Sequence, residues 1–284
     1  MEINKVSVVG AGVMGMGISQ ALAQQGFSVT VTDLNEELLE KNLAKTRQNL
    51  KSRVEKGKIS ADEAKEVLAR IRTTTKMPDV TDVDLVIEAV VENMEVKKSV
   101  FAELDELCPT HTILATNTSI LSPTEIGSAT KRPDKTVGMH WFNPAPVMKL
   151  IEVTAGLSTS EETVNAVMEF SRKVGKTPVR VNEAPGGIVS RILIAMRNAT
   201  VDILAEGVAS AEDIDTAMKL GAGFPMGPLE LIDLIGVDIH VTNSDNLCRE
   251  LGDLKYRPHA LLRKMLRAGH LGRKSGRGFY DYTK

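Results

Sequence analysis

Through residues 1–184, short apolar runs alternate with longer stretches whose apolar positions recur at helical spacing. The strand-like runs are "KVSVVG", "FSVTVTD", "VDLVIEAV", "TILATNTS", "KTVGMHW", "KLIEVT" and "TPVRV". Among the intervening stretches, "VMGMGISQALAQQG" starts a helix after Gly12. "MEVKKSVFAELDELC" carries Val96, Val100, Phe101, Leu104 and Leu107 on one predicted face. Such alternation predicts a mostly parallel sheet covered by helices. Glu36 to Arg70 departs from it and reads as two successive helices around "EKGKIS". Gly57 ends the first and Ser60 caps the second, so a helical hairpin is inserted into the sheet.

After Val181 the pattern changes. "NEAPGG" has the turn-forming residues of a linker, which places a boundary near Asn182 to Gly187. From Ile188 onward the reading is nearly all helix, and Ser210 with Asp213 resembles a capping box.

Composition narrows the functional classes. The chain has 284 residues, 42% hydrophobic and 25% charged, with a formal net charge of -2. This suits a folded protein of two domains and lacks the basic field of a nucleic-acid binder. No apolar run approaches the length of a membrane span. Cys108 and Cys248 lie far apart without zinc-like spacing, so neither a disulfide framework nor a metal site is expected. A strand begins almost at once, leaving no room for a signal peptide, and a cytoplasmic location is expected.

The first strand runs into "VVGAGVMGMG", where Gly10, Gly12 and Gly15 form G-x-G-x-x-G around Val13 and Met14. The motif follows a strand, opens a helix, and precedes a second strand ending in Asp33. Gly10 makes the tight turn, Gly12 lets backbone approach a pyrophosphate, and Gly15 lets helix and strand pack closely. The helix N-terminus offers free N–H groups to the phosphates. Asp33 can accept from the ribose hydroxyls and would repel a 2′-phosphate, which favours NAD. The expected fold is therefore α/β: an N-terminal Rossmann-type NAD-binding domain, residues 1–184, with an inserted helical hairpin. An all-α C-terminal domain, residues 185–284, follows it.

"MHWFNPAPVMKLIEV" places a histidine and a glutamate at the ends of two apolar runs. Taken alone, a histidine beside aromatics is commonly a hydrogen-bonded core residue. Glu152, however, needs a partner if buried, and His140 on the adjoining strand is the best candidate. A carboxylate on one ring nitrogen would fix the tautomer and stabilise imidazolium, leaving the other nitrogen for proton transfer. Ser119, in "ATNTSI", follows a strand, where ligands of doubly wound sheets bind. Its hydroxyl can either bond a substrate oxygen or cap a turn. Ser122, before Pro123, fits the cap better.

"GMHWFNPAPVMKLIEV", "NTS", the glycine fingerprint and "RPHALLRKMLRAGHLGRKSGRGFYDY" together resemble the L-3-hydroxyacyl-CoA dehydrogenases, and most nearly the short bacterial 3-hydroxybutyryl-CoA dehydrogenases. The resemblance runs from Val6 to Tyr282, and its His-x-Phe-Asn-Pro element is far more specific than the fingerprint. It implies that His140 is the catalytic acid/base, that Glu152 orients it, and that Ser119 bonds the substrate oxygen. It implies cofactor contacts at Glu92, Lys97, Asn117, Asn143 and Lys274. Glu92 and Lys97 also suit solvated helix-end charges, and Lys274 a mobile glycine-rich tail.

The segment "NLAKTRQNLKSRVEKGK" carries Lys45, Arg47, Lys51, Arg53, Lys56 and Lys58, by default a solvated face. By resemblance it holds CoA phosphates. Lys56 matches one such lysine, and Ser52 stands where related enzymes can carry a second. "PGGIVSRIL" departs from the family: Gly187 stands where Phe is usual, and Ser190 where an active-site Asn is usual. Serine can donate and accept but lacks the amide's second arm. Either a water or small shift replaces the amide at Ser190 and activity persists, or positioning is lost and turnover falls; the first is expected, since His140, Glu152 and Ser119 are retained.

The implied reaction is NAD-linked interconversion of (S)-3-hydroxybutyryl-CoA and acetoacetyl-CoA, as in fatty acid and butyrate metabolism. A dehydrogenase of 3-hydroxy acids lacking CoA and a non-catalytic NAD-binding relative are the alternatives. The helical domain carries many apolar residues, among them Ile188, Ile192, Leu193, Ile194, Met196, Ile203 and Leu204. A homodimer through this domain is expected, against the alternative of a self-contained core.

Overall fold

A computed structural model describes residues 2–283; the end residues of the two expected domains, Met1 and Lys284, lie outside it. The chain divides into two compact units, Met1–Ala184 and Pro185–Lys284.

The first unit is built on an eight-stranded sheet in the order β3-β2-β1-β4-β5-β6-β7-β8. The strands are β1 (Val6–Val9), β2 (Val29–Thr32), β3 (Ile71–Thr74), β4 (Leu85–Glu88), β5 (Ile113–Thr116), β6 (Thr136–Trp141), β7 (Leu150–Ala155) and β8 (Thr177–Asn182). β1 to β6 pair in parallel; β7 runs antiparallel to β6 and parallel to β8. The central strands are buried along their whole length, as their predominantly apolar sequences suit, and they carry Ser7, Glu88, Thr116 and His140 inside with them.

Alternation along the pleat separates two cores. Val8, Ile87 and Ala115 face a cluster with Met16 and Leu22 of α1 (Val13–Gln24) and Val167 and Phe170 of α6 (Glu161–Lys173). Val9, Val86 and Leu114 face the other, with Phe101 and Leu104 of α4 (Met94–Leu107) and Ile126 of α5 (Pro123–Gly127). The inserted hairpin is α2 (Glu36–Glu55) and α3 (Ala61–Ala69). Gly57 sits at φ +65 beyond α2, and Ser60 with Glu63 forms a complete capping box on α3.

Two features of this unit escape the sequence pattern. Strand β3 is "IRTT", in which only Ile71 is apolar and buried. It pairs at the sheet edge because the hairpin delivers it beside β2. On α4, Val96 and Leu107 are exposed, whereas Lys97 and Asp105 are buried with Phe101 and Leu104. Each buried charge has a counter-charge: Glu88 lies 2.8 Å from Lys97, and Arg132 lies 2.6 Å from Asp105.

The second unit is helical: α7 (Val189–Ala205), α8 (Ala211–Gly221), α9 (Pro228–Ile235), α10 (Val237–Leu251) and α11 (Ala260–Arg267). Val201, Ile214, Leu229, Ile232, Val241 and Leu262 form its core. The Ser210 cap is one-armed. Its hydroxyl accepts from the Asp213 amide, but the Asp213 carboxylate bonds that hydroxyl rather than the Ser210 amide. The C-terminal segment is tied down. Buried Asp233 accepts from the amides of Phe279 and Tyr280 and from the Tyr282 hydroxyl.

Candidate active site

β6 and β7 are registered so that His140 stands directly opposite Glu152. Both are buried. His140 Nδ1 lies 3.0 Å from Glu152 Oε2, and Nε2 lies 3.1 Å from Ser119 Oγ. A carboxylate at Nδ1 holds the ring proton there and leaves Nε2 as the exchangeable position. Phe142 covers the ring, centroid to centroid 4.3 Å. Ser119, half-buried, lies beyond the carboxyl end of β5, and Ser122 caps α5 by accepting from the Glu125 amide. The structure thus joins His140, Glu152 and Ser119 in one line of polar contacts.

Asn117 braces this line: its amide donates to Glu88 O at 2.7 Å, and its Oδ1 accepts from the Trp141 amide at 2.8 Å. Asn143 is exposed in the next loop, at a cis bond to Pro144. That loop is held by Lys176, which pattern reading passed over. Its Nζ donates to Ala145 O and Met148 O, both at 2.7 Å, and lies 5.5 Å from the Trp141 ring. Burial lowers the Lys176 pKa below its ordinary value.

The fingerprint forms a cradle. Gly10 has φ +101, and a Cβ there would come within 2.6 Å of Ala89 O. A Cβ on Gly15 would lie 1.8 Å from Gly10 O. Gly12 is different: its φ is -65 and its Cβ direction is open, so neither backbone nor neighbours demand glycine there. What does fit is a ligand approaching the backbone at the start of α1. That helix has no side-chain cap, and the N–H groups of Val13, Met14 and Gly15 have no partner within the helix. Asp33 lies just past β2; its Oδ2 accepts from the Ala11 amide at 2.8 Å. Val13, Leu34 and Val91 stand exposed beside the ends of β1, β2 and β4. An apolar rim around a glycine turn suits the flat faces of a dinucleotide. It could have been found in the sequence from apolar residues directly following strand ends.

Glu92 and Lys97 are not a pair of solvated charges. Lys97 is fully buried and lies 3.4 Å from Glu92 Oε2, while the Glu92 side chain remains 38% exposed at the same edge of the sheet. Lys45, Arg47, Lys51, Lys56 and Lys58 are exposed on and just beyond α2, with Arg53 and Ser52 half-buried among them.

In the second unit, Ser190 is half-buried in the first turn of α7. Gly187 has φ +52, a backbone that favours glycine and would strain the phenylalanine usual in similar sequences. Lys274 lies in an ordered turn, its Nζ 2.6 Å from an Asp238 oxygen, rather than on a loose tail. Among the described residues, no group of three His, Cys, Asp or Glu side chains is placed to hold a metal, and no helix is long and apolar enough to cross a membrane.

Residues 5–184 match the model of the 3-hydroxyacyl-CoA dehydrogenase NAD-binding domain, and residues 186–282 that of the 3-hydroxyacyl-CoA dehydrogenase C-terminal domain. The chain is 52% identical to a 3-hydroxybutyryl-CoA dehydrogenase of Clostridioides difficile, covering 99% of this chain and 100% of the relative. It is 50% identical to a probable 3-hydroxybutyryl-CoA dehydrogenase of Bacillus subtilis, covering 100% and 99%. Among solved structures, an (S)-3-hydroxybutyryl-CoA dehydrogenase of Ralstonia eutropha matches with a TM-score of 0.94 at 42% identity, covering 100% of both chains.

Proposed function

The chain belongs to the 3-hydroxyacyl-CoA dehydrogenase family, and from that premise we propose that it interconverts (S)-3-hydroxybutyryl-CoA and acetoacetyl-CoA with NAD as hydride carrier. The observation that carries this reading is the line Ser119–His140–Glu152 at the carboxyl end of the sheet, its His140 and Glu152 buried.

The residues of the cradle would hold NAD, which would supply the hydride acceptor or donor for the substrate carbon. The amides at the start of α1 would bind its pyrophosphate and Asp33 its ribose hydroxyls, and Val13, Leu34 and Val91 would cover it. Glu92, held from behind by buried Lys97, would serve the same side, with Asn117 and Asn143 as further contacts. In the reducing direction, His140 Nε2 delivers a proton to the 3-oxygen while the Ser119 hydroxyl donates to the same atom. In the oxidising direction, Nε2 takes that proton back. Glu152 stabilises the imidazolium at Nδ1 in both.

The basic side chains around Lys56, with Ser52 beside them, supply the CoA grip. They favour a thioester over a free acid. The exposed apolar residues of α7, Ile192 at 62% and Ile203 at 41%, lie on one face with Met196 and Ala199, and this face supports a homodimer.

The test is reduction of acetoacetyl-CoA by NADH or NADPH, against free acetoacetate. Turnover with NADH on the thioester, and a loss of about 10²–10⁴-fold in His140→Gln, is expected. Equal turnover on the free acid removes the CoA assignment. Cofactor binding without any turnover makes the protein a non-catalytic relative.

A further inference from the structure

β4 ends in Glu88, a glutamate with no exposed surface. A buried carboxylate is costly unless donors surround it. Here Lys97 Nζ donates to Oε1 at 2.8 Å, the Val90 amide donates to Oε1 at 2.7 Å, and Thr116 Oγ1 donates to Oε2 at 2.7 Å. Lys97 then reaches past Glu88 to Glu92 Oε2 at 3.4 Å. The other Glu92 oxygen accepts from the Ser119 amide at 3.1 Å and from the Thr118 hydroxyl. Ser119 Oγ lies 3.1 Å from His140 Nε2. An unbroken chain of polar contacts therefore runs from the end of β4 to the reactive nitrogen on β6.

An ion pair serving stability alone can be replaced by an apolar pair of similar volume. The second contact of Lys97 is what an apolar pair cannot reproduce. It fixes a partly exposed carboxylate whose remaining oxygen holds the serine loop by its backbone. The same segment, Ala89 to Glu92, packs against the fingerprint at Gly10, so the loop below the cofactor and the loop carrying Ser119 share one anchor.

We propose that Glu88 and Lys97 are positioning residues for the Ser119–His140 pair, acting through the Glu92 carboxylate, which sets where Ser119 stands against His140 Nε2. This rests on the reading of His140 as the proton-transfer group. The buried pair touches neither reacting atoms nor substrate; its effect is on alignment, where small displacements cost rate.

The test is the double variant Glu88→Gln/Lys97→Met, which removes both fully buried charges together and leaves only the partly exposed Glu92 carboxylate without its cation. Turnover of acetoacetyl-CoA, affinity for NADH by fluorescence titration, thermal stability and hydrogen exchange of the Ser119 amide are measured on the full-length protein. The proposal expects kcat at saturating NADH to fall at least about tenfold, with the thioester KM within about threefold of wild type; the titration sets the saturating level, since Glu92 also serves the cofactor side. It also expects the Ser119 amide to lose protection in the ligand-free protein. A kcat within twofold of wild type, or a Ser119 amide as protected as before, overturns it. If the double variant does not fold, Thr116→Val reads the same coupling by releasing one oxygen of Glu88. A loss of Ser119 protection with a lower kcat supports the proposal, and no change in either overturns it. His140→Gln is the control for the underlying reading: it should lower turnover by about 10²–10⁴-fold and leave Ser119 protected. Should wild type itself show no turnover, the dehydrogenase reading fails, and Ser119 exchange alone still decides the positioning.

Discussion

Glu152 meets His140 across a pair of antiparallel strands, so sheet register rather than loop conformation sets the proton-transfer geometry. In the proposed mechanism its charge, and not only its hydrogen bond, supports the imidazolium. Glu152→Gln keeps the volume and removes the charge; kcat for acetoacetyl-CoA reduction should fall by about 10²-fold or more, read in the same assay as wild type. Ser190 is the residue that departs from the family's asparagine. The wild type is expected to turn over, and Ser190→Asn should raise kcat/KM by several-fold through the added amide arm. A lower value in the variant would show that the site has rebuilt itself around serine.

At the scale of elements, the start of α1 separates folding from function. Nothing lies within 4 Å of where a Cβ on Gly12 would stand, and its backbone tolerates one. Gly12→Val should therefore leave the melting temperature nearly unchanged and raise the KM for NADH at least about tenfold. The C-terminal segment behaves in the opposite way. A Cβ on Gly278 would lie 2.0 Å from Asp233 Oδ1, in the carboxylate that anchors Phe279, Tyr280 and Tyr282. Gly278→Ala should destabilise the helical unit by about 1–3 kcal/mol, measured by denaturant unfolding.

Between α7 and α10 lies a buried imidazole, His240, whose Nε2 is 3.0 Å from Asn198 Oδ1. Burial, with the Arg197 charge adding to it, lowers its pKa from 6.5 to about 3. Its folded pKa lies below its unfolded one, so the unfolded chain binds the extra proton. Its contribution is fully present above pH 6.5 and is lost as pH falls toward 3, on the order of a few kcal/mol. His240→Gln should flatten the stability difference between pH 6.5 and pH 4 relative to wild type.

For the whole molecule, the exposed apolar face of α7 carries the assembly prediction. Ile192→Asp with Ile203→Asp should convert a dimer to a monomer in sedimentation. A wild type that is already monomeric would return that face to the surface of a self-contained domain. The sequence by itself determined the seven strands rich in apolar and β-branched residues, the hairpin with its glycine stop and serine cap, and the change to helix after Val181. It also determined the residue types of the candidate site, because periodicity, turn chemistry and the glycine fingerprint are local. Only the tertiary structure decided the rest. Strand β3 exists because a neighbour pairs with it, not because "IRTT" asks for it. Lys97 is inside rather than in water because Glu88, nine residues earlier, is inside opposite it. The placing of His140 between Glu152 and Ser119 belongs to the same class, since register and strand order bring together groups whose separation along the chain says nothing of their contact.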